Sequence, residues 1–356
     1  MKILIVGLGY AGNRYRRAFS YLGERLKIGV EIAYVGRHQR TDALPYFDRV
    51  SSALYAFRPD IVVVGVNDQS HVAILKELGG YRGFIICEKP LAAPTQPWRE
   101  ACRGLGEAKG FALDLVERYS EATRQLKREV ASRGWSLVRA SFHWGKDRLN
   151  DYRPTCGVVS EVIHALDLVE WICPSEGALR LEGVMGVRSD FSISGKDVLD
   201  TVLLTASLGE APVAGYSSFV NVQRQRTVDL SFVDEPGRIF HARIIYDTPQ
   251  WDHDHLRIWT RDDQGREVLV VEQRTSENIP GLETLQKLSQ LCEDVLRRVA
   301  WQESPSQPFA DLTTATALQQ LLDDISHKVS TPSAARYVRS AVRVLLPEDA
   351  DLESLG

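Results

Sequence analysis

The chain has 356 residues, 44% of them hydrophobic and 25% charged, and its 43 Lys and Arg against 47 Asp and Glu give a formal net charge of −4. This composition excludes a disordered, collagen-like or coiled-coil chain, and the slightly acidic balance argues against general binding of nucleic acid. The length predicts two domains, each of which can bury a core of its own.

Residues 1–120 alternate short apolar segments with stretches of helical length. Such alternation predicts right-handed βαβ crossovers and a doubly wound parallel sheet with helices on both faces, the α/β Rossmann arrangement. The predicted strands are Ile3–Val6, Glu31–Val35, Asp60–Val66, Gly83–Cys87 and Phe111–Val116. The predicted helices are Gly12–Leu22, Ser51–Phe57, Ser70–Leu78 and Gln96–Lys109.

Residues 121–330 have a different pattern, in which strand-like runs with period-two alternation follow one another. This pattern predicts an α+β domain with an open, mainly antiparallel sheet. The helices predicted here are Glu121–Arg133, Val158–Ile172, Leu282–Trp301 and Asp311–His327. Residues 331–356 form a predicted C-terminal extension, with a helix over Ala334–Leu346 and an acidic tail.

A Gly-x-Gly-x-x-Gly run, Gly7, Gly9 and Gly12, directly follows the first predicted strand and opens the first predicted helix. In that setting the first glycine permits a tight turn, the second lets the backbone approach a pyrophosphate, and the third lets helix and strand pack closely. Because free amides at a helix start face the anion, Tyr10 and Ala11 join the predicted cofactor site. The residues 1–120 are therefore predicted to bind a dinucleotide.

The end of the second predicted strand indicates which dinucleotide is bound. An NAD site usually has Asp or Glu there, which hydrogen bonds to the ribose hydroxyls. This chain instead has Gly36, followed by Arg37 and His38, with Arg40 close behind. A guanidinium without a competing carboxylate suits a 2′-phosphate, so NADP(H) is favoured over NAD(H). The alternative is that Arg37 and Arg40 are simply solvated loop charges.

The segment Cys87–Ala92, which contains Glu88-Lys89-Pro90, ends a strand of the parallel sheet. Together with the glycine turn and with Gly157–Trp171, it resembles the glucose–fructose oxidoreductase / inositol dehydrogenase / MocA (Gfo/Idh/MocA) family over most of residues 1–330. The resemblance implies a cis peptide before Pro90, and a dimer or tetramer formed through the open sheet. The further cofactor-side residues that it implies are Asn67, His71, Glu88, Lys89 and Arg118, and Tyr119 is implied on the substrate side.

A lysine at the carboxyl end of a parallel strand has a chemical use besides the resemblance, because ligands bind beyond those ends. Lys89 can polarise a substrate carbonyl, or relay the proton of a hydroxyl, while hydride moves at the adjacent carbon. Without the resemblance, a Lys-Pro at a strand end is more often an exposed charge in a turn. Lys89 is therefore both a predicted catalytic and a predicted substrate residue.

Glu161, His164 and Asp167 are spaced i, i+3 and i+6, so on a helix they fall on or near one face. A histidine between two carboxylates is a candidate general acid or base, and we expect Glu161 to orient His164. The alternative is a salt-bridged helix with a satisfied core histidine. The resembled family commonly has an Asp four residues before its catalytic His. In this chain that position is Ser160, a departure that puts the family's polyol-dehydrogenase chemistry in question. Arg153, in the preceding polar loop, is a predicted substrate contact.

The expected function is an NADP(H)-dependent oxidoreductase that acts on a sugar, cyclitol or related keto compound of biosynthesis. Two alternatives remain open: an imine reductase of natural-product biosynthesis, and a regulatory or scaffold protein that binds a dinucleotide without catalysis. We expect a homodimer or homotetramer with no metal, no nucleic acid and no membrane partner. Five scattered cysteines without a Cys-x-x-Cys pair are typical of a reducing cytoplasm, which is the expected location.

Overall fold

A computed structural model describes residues 1–41, 43–275, 279–330, 334–340 and 342–345, except the side chain of Ser175. The chain divides into two compact units, and each is described by itself. Unit 1 comprises Met1–Val116 and Asn278–Gln320, and unit 2 comprises Glu117–Glu277 and Leu321–Gly356.

The helices are α1 (Tyr10–Leu26), α2 (Val50–Ala56), α3 (His71–Glu77), α4 (Trp98–Arg103), α5 (Glu121–Arg133), α6 (Val159–Ile172), α7 (Gln286–Trp301) and α8 (Leu312–Lys328). The strands are β1 (Lys2–Val6), β2 (Glu31–Val35), β3 (Tyr46–Phe47), β4 (Ile61–Val64), β5 (Phe84–Cys87), β6 (Gly110–Leu113), β7 (Ser136–Asp147), β8 (Leu179–Ser189), β9 (Val198–Leu208), β10 (Ala211–Ser218), β11 (Val220–Val233), β12 (Ile239–Ile245), β13 (Asp254–Arg261), β14 (Glu267–Thr275) and β15 (Ala334–Ala335).

Unit 1 contains a six-stranded parallel sheet in the order β3-β2-β1-β4-β5-β6. Parallel strands covered on both faces read as continuous apolar runs, and every residue of β4 and β5 is buried. The strand order reverses between β1 and β4. A crevice forms at such a switch point, beyond the carboxyl ends of the strands, where open α/β sheets bind their ligands.

The segment Asn278–Gln320 returns to unit 1, which differs from the predicted range of 121–330 for the second domain. Helix α7 packs against α1 and buries Leu291 and Val295. The following loop joins the edge of the sheet, because the amide of Leu113 donates to the carbonyl of Ala310 at 2.8 Å. The physical reason for the return is that α1 has apolar surface that α7 covers.

Unit 2 contains a nine-stranded sheet in the order β14-β13-β12-β11-β7-β10-β9-β8-β15. The sheet is mixed but mainly antiparallel, since among its described strands only the pairs β10–β7 and β15–β8 are parallel. Helix α6 packs against β7, β9 and β10, and α5 packs against β12, β13 and β14. The predicted combination of a parallel Rossmann sheet with an α+β domain built on an open, mainly antiparallel sheet is confirmed.

The helix predicted over Ala334–Leu346 is wrong. Ala334 and Ala335 form β15, which adds to the edge of β8, and the described residues that follow are not helical. An edge strand presents unpaired backbone groups, which β15 satisfies. The Arg343 guanidinium also fixes the segment, because Nη1 donates to Asn150 Oδ1 at 2.9 Å and to the Phe191 carbonyl at 2.7 Å. The predicted acidic tail after residue 345 lies outside the described residues.

Candidate functional site

The glycine turn of unit 1 is closed by tight contacts that exclude larger residues. Gly7 has φ of +95°, and a Cβ built on Gly12 would lie 2.1 Å from the Gly7 carbonyl oxygen. A Cβ built on Gly9, in contrast, meets no described atom within 4 Å. Gly7 and Gly12 therefore shape the turn, whereas Gly9 faces open space into which a ligand can approach the backbone.

Helix α1 begins at Tyr10, directly after this turn, with Gly9 at the N-cap. The first amides of a helix have no intrahelical acceptor, and the helix dipole favours negative charge near them. None of the residues of this first turn, all of which the structure describes, is acidic. Tyr10 and Ala11 are half-buried. The cradle at Gly9 and these amides thus fit the pyrophosphate of a dinucleotide.

Arg37, His38 and Arg40 lie exposed in the loop after β2. Two tyrosines hold the backbone of this loop. The buried Tyr34 hydroxyl accepts from the Arg40 amide at 2.6 Å and from the following amide at 3.3 Å. The Tyr46 hydroxyl donates to the Gly36 carbonyl at 3.1 Å. Sequence reasoning missed both hydroxyls, which give the predicted phosphate-binding loop a fixed backbone.

The predicted catalytic Lys89 is half-buried directly after β5, and the peptide between Lys89 and Pro90 is cis, as the resemblance implies. His71 is fully buried beside this turn. Its Nδ1 lies 2.7 Å from the Pro90 carbonyl oxygen and its Nε2 lies 3.1 Å from that of Val66. Both ring nitrogens of His71 therefore contact the backbone of unit 1. Asn67 is exposed, and its Oδ1 accepts from the Ser70 hydroxyl at 3.2 Å.

In unit 2, Glu161 is almost completely buried and is held by both of its carboxylate oxygens. Its Oε1 accepts from Trp144 Nε1 at 3.1 Å and from Arg226 Nη2 at 2.6 Å, while its Oε2 lies 3.1 Å from Lys146 Nζ. Arg226 also pairs with Asp247. This network fixes the first turn of α6 to β7 and β11.

The charge of Arg226 is maintained although its side chain is buried. Burial acts to lower the pKa of its guanidinium, but Glu161, Asp247 and Glu117 hold that pKa above its ordinary value. A buried ion pair of this kind is costly to break, because removal of one partner leaves the other charge uncompensated. Glu161 is therefore held in one position by Trp144, Lys146 and Arg226.

His164 is buried on the same helix, and its ring stacks on the Trp144 indole with centroids 5.9 Å apart and planes 24° apart. Because the Trp144 Nε1 donates to Glu161, the indole under His164 is fixed by that carboxylate. This gives Glu161 an indirect means of orienting His164.

The predicted residues Arg118 and Tyr119 lie in unit 2 and are both buried. The Arg118 guanidinium donates to both carboxylate oxygens of Asp167, with Nε 2.8 Å from Oδ2. This bidentate pair ties the segment before α5 to the third turn of α6. Asp167, the last of the three residues on the predicted helix face, is thus paired with a buried arginine, as Glu161 is.

The predicted substrate residue Arg153 lies in a loop organised by Asp151. Arg153 Nε lies 2.8 Å from Asp151 Oδ1, and Arg148 Nε lies 2.9 Å from Asp151 Oδ2. Burial acts to raise the pKa of Asp151, but the two arginines hold it well below its ordinary value. Ser160 is buried as well, and its hydroxyl donates to the Gly157 carbonyl at 2.9 Å.

Sequence reasoning also missed Asp114 and Arg226. Asp114 directly follows β6, and a carboxylate after a buried parallel strand is a signal that could have found it. Lys146 and Arg226 lie within strands β7 and β11, where local sequence gives no sign of a partner. Among the described residues, no group of three or more His, Cys, Asp and Glu side chains could hold a metal ion.

Comparison with known families gives one match. Residues 1–111 match the model of the Gfo/Idh/MocA oxidoreductase family, which is described by its NAD-binding Rossmann fold. The predicted resemblance to the Gfo/Idh/MocA family is confirmed. The family model thus covers residues 1–111, and beyond them the likeness to solved structures is one of fold. A search of curated protein sequences found no significant match.

Three solved structures illustrate the likeness of fold. Myo-inositol 2-dehydrogenase from Lactobacillus plantarum is 14% identical, with a TM-score of 0.66 over 92% of this chain and 96% of that one. UDP-N-acetylglucosamine 3-dehydrogenase GnnA from Acidithiobacillus ferrooxidans is 15% identical, with a TM-score of 0.64 over 92% and 97%. The transcriptional regulator Gal80p from Kluyveromyces lactis is 13% identical, with a TM-score of 0.69 over 92% and 89%.

A membrane-spanning helix was also sought. Within the ranges that the structure describes, no helix is both long enough and apolar enough to cross a bilayer.

Proposed function

We propose that the chain is an NADP(H)-dependent oxidoreductase acting on a sugar, cyclitol or related keto compound of biosynthesis. When bound, the nicotinamide cofactor supplies or accepts a hydride. The observation that carries the proposal is the glycine turn, where Gly9 faces open space at the start of α1. Lys89 follows β5 at the same carboxyl edge of the sheet.

The preference for NADP(H) rests on the loop after β2. Gly36 occupies the position where a carboxylate would bond the ribose hydroxyls, and Arg37 follows it with an exposed side chain. A guanidinium binds a phosphate through charge-assisted hydrogen bonds, and no carboxylate at residue 36 opposes it. The hydroxyls of Tyr34 and Tyr46 support this proposal because they fix the backbone on which the arginines are carried.

The chemistry that we propose for the chain's own residues is proton transfer and substrate positioning. Lys89 holds the reacting oxygen or nitrogen of the substrate and supplies or removes its proton, and His164 assists that transfer. Glu161 positions His164 through the Trp144 indole. Asn67, Glu88 and Arg118 belong to the proposed cofactor site. His71 supports that site through its contacts with the Pro90 and Val66 carbonyls. Tyr119 and Arg153 contact the substrate.

Fluorescence titration with NADPH and NADH tests the cofactor, followed by a substrate screen on the preferred one. We expect NADPH to bind at least tenfold more tightly, and Arg37→Ala to weaken NADPH binding while NADH binding is unchanged. Arg82→Ala, which removes an exposed arginine of unit 1, is the control. Equal affinity for both cofactors would defeat the proposed preference. Turnover that survives Lys89→Ala would defeat the catalytic assignment.

A second candidate is a dinucleotide-binding regulatory protein without catalysis. Ser160 favours this candidate, because it supplies no carboxylate at the position four residues before His164. Its hydroxyl is hydrogen bonded to the Gly157 carbonyl instead. The likeness of fold to a transcriptional regulator supports the same candidate. An imine reductase is the third, since Lys89 can also serve a nitrogen. A panel of carbonyl, imine and sugar substrates with NADPH separates the three candidates. Turnover of a carbonyl selects the proposed oxidoreductase, and turnover of an imine selects the imine reductase. Tight binding of NADPH without turnover selects the regulatory protein.

We also propose a homodimer or homotetramer formed through the open sheet of unit 2. Met185 on β8 and Leu203 on β9 are paired across the sheet, so they share one face, and they are 60% and 47% exposed. Apolar side chains exposed together are typical of an interface. Light scattering after size-exclusion chromatography tests this proposal, and a Leu203→Glu variant should shift the mass to that of a single chain.

A further inference from the structure

The Arg343 guanidinium joins the C-terminal segment to two loops of unit 2. Its Nη1 donates to Asn150 Oδ1 at 2.9 Å and to the Phe191 carbonyl at 2.7 Å, and its Nη2 donates to the Asp190 carbonyl. The Arg343 side chain is half-buried, whereas the residues on either side of it are exposed. The segment therefore directs this arginine into the protein, toward acceptors that are far from it in sequence.

Asn150 links this contact to the loop of residues 148–153. The Asn150 amide donates to the same Phe191 carbonyl at 3.2 Å, so both the side chain and the backbone of Asn150 meet the partners of Arg343. The backbone of Asn150 has φ of 66°, in the left-handed region. A residue other than glycine keeps that conformation when its surroundings hold it there. The two hydrogen bonds of Asn150 provide that support.

The next residue, Asp151, organises the two arginines of this loop. Its Oδ2 accepts from Arg148 Nε at 2.9 Å, and its Oδ1 accepts from both Nε and the amide of Arg153 at 2.8 Å. The Asp151 amide donates to the Arg148 carbonyl at 3.0 Å. Because Asp151 directly follows Asn150, the direction of its carboxylate depends on the backbone at Asn150. The position of the Arg153 guanidinium depends on that carboxylate in turn.

We propose that Arg343 is a positioning residue for substrate binding, because it holds the loop from which Arg153 contacts the substrate. The proposal rests on the substrate contact proposed for Arg153. Arg343, Asn150 and Arg153 all belong to unit 2, so the path between them lies within one compact unit.

The expected effect is on substrate affinity. A loop that is already held loses little conformational freedom when the substrate binds, whereas a loop without Arg343 has to be ordered at that moment. Arg153 is proposed to bind the substrate and not to exchange a proton with it, so its contact is present before and during the reaction. Loss of an interaction of this kind raises KM and leaves kcat unchanged.

Hydrogen–deuterium exchange of the full chain, without cofactor or substrate, tests the hold on the loop. We expect the amides of Asn150 and Asp151 to exchange about fivefold faster or more in Arg343→Met, because the loop opens more often. Arg339→Met, which changes an exposed arginine of the same segment, should leave their exchange unchanged. Equal exchange in Arg343→Met and the unaltered protein overturns the proposal.

Steady-state kinetics tests the effect on the substrate. Arg343→Met should raise KM about fivefold or more with kcat within about twofold, and Arg339→Met should change neither. Asn150→Gly removes the acceptor of Arg343 and keeps the left-handed backbone accessible. It should raise KM in the same way, so the test does not depend on one variant.

A double variant shows whether Arg343 acts through Arg153. In an Arg153→Ala background, Arg343→Met should change KM by less than about twofold, because the contact that it positions is already absent. Additive effects of the two substitutions overturn the proposal. If no substrate is turned over, the proposed function fails and the positioning role falls with it. If turnover is observed and KM is unaltered in Arg343→Met, the positioning role alone fails, so the two failures are distinguishable.

Discussion

The Arg118 guanidinium donates to both carboxylate oxygens of Asp167, and both side chains are less than a tenth exposed. We predict that Asp167→Asn lowers the free energy of unfolding by about 3–5 kcal/mol, since it leaves the arginine charge buried without compensation. Urea unfolding followed by tryptophan fluorescence measures this. The double variant Arg118→Met with Asp167→Leu should recover most of the loss. If the double variant is as unstable as Asp167→Asn, the packing of the two side chains, and not their charge, determines this loss of unfolding free energy.

Gly9 and Gly12 of the glycine turn make a matched pair for a second prediction. Gly9→Ala should leave the unfolding free energy nearly unchanged, because its Cβ meets no described atom within 4 Å, and should weaken NADPH binding at least tenfold. Gly12→Ala places its Cβ 2.1 Å from the Gly7 carbonyl oxygen, so it should destabilise unit 1 as well. Thermal unfolding and fluorescence titration of both variants decide this. NADPH binding unaltered by Gly9→Ala would contradict the location of the pyrophosphate.

Tyr34→Phe removes the hydroxyl that accepts from the Arg40 amide and keeps the buried ring. We expect it to lower the unfolding free energy by about 0.5–1.5 kcal/mol and to raise the Kd for NADPH several-fold, with the Kd for NADH unchanged. Tyr81→Phe is the control, since its hydroxyl likewise hydrogen bonds to the backbone of unit 1, where it donates to the Pro59 carbonyl at 2.9 Å. If both cofactors weaken equally in Tyr34→Phe, the loop does not discriminate between them.

Lys127 provides a pH-dependent prediction in unit 2. Its Nζ donates to the Trp171 carbonyl at 2.7 Å, and burial, followed by the charge of Arg118, lowers its pKa to about 8. Because the unfolded chain retains the higher, ordinary lysine pKa, it binds more protons than the folded chain above pH 8. The contribution of Lys127 to the unfolding free energy therefore rises with pH from about 8 to that ordinary value.

The measurement is the difference in unfolding free energy between the unaltered protein and Lys127→Met across this pH range. A difference is needed because buried thiols such as Cys173, whose pKa burial raises to about 12, change stability with the opposite sign. A difference that is flat between pH 8 and 10 for Lys127→Met would refute the lowered pKa.

Elements governed by local rules were predicted well from the sequence. Helix α5 has the predicted bounds, because the Ser120 hydroxyl caps its first turn and Gly134, with φ of 62°, ends it. The strands β1, β2, β4 and β5 were also predicted to within two residues at each end, since buried parallel strands are continuous apolar runs bounded by polar residues or glycine.

What could not be predicted depends on partners far apart in sequence. Nothing near Glu161 indicates that Arg226, 65 residues later, holds its carboxylate. The extended segment at Ala334 has helical periodicity, but its conformation is decided by the edge of β8. The return of α7 to unit 1 likewise depends on α1. The residues of the glycine turn were identified correctly as a structural motif because strand, turn and helix are contiguous there.

The return of α7 also has a consequence for biosynthesis. A ribosome completes the six strands of unit 1 early, but it makes α7, the partner of α1, only after all the strands from β7 to β14. For most of its synthesis the nascent chain therefore carries a nucleotide-binding sheet whose first helix lacks its covering partner. Exposed apolar surface of this kind is what makes incomplete chains prone to aggregate, and it is the surface that chaperones bind.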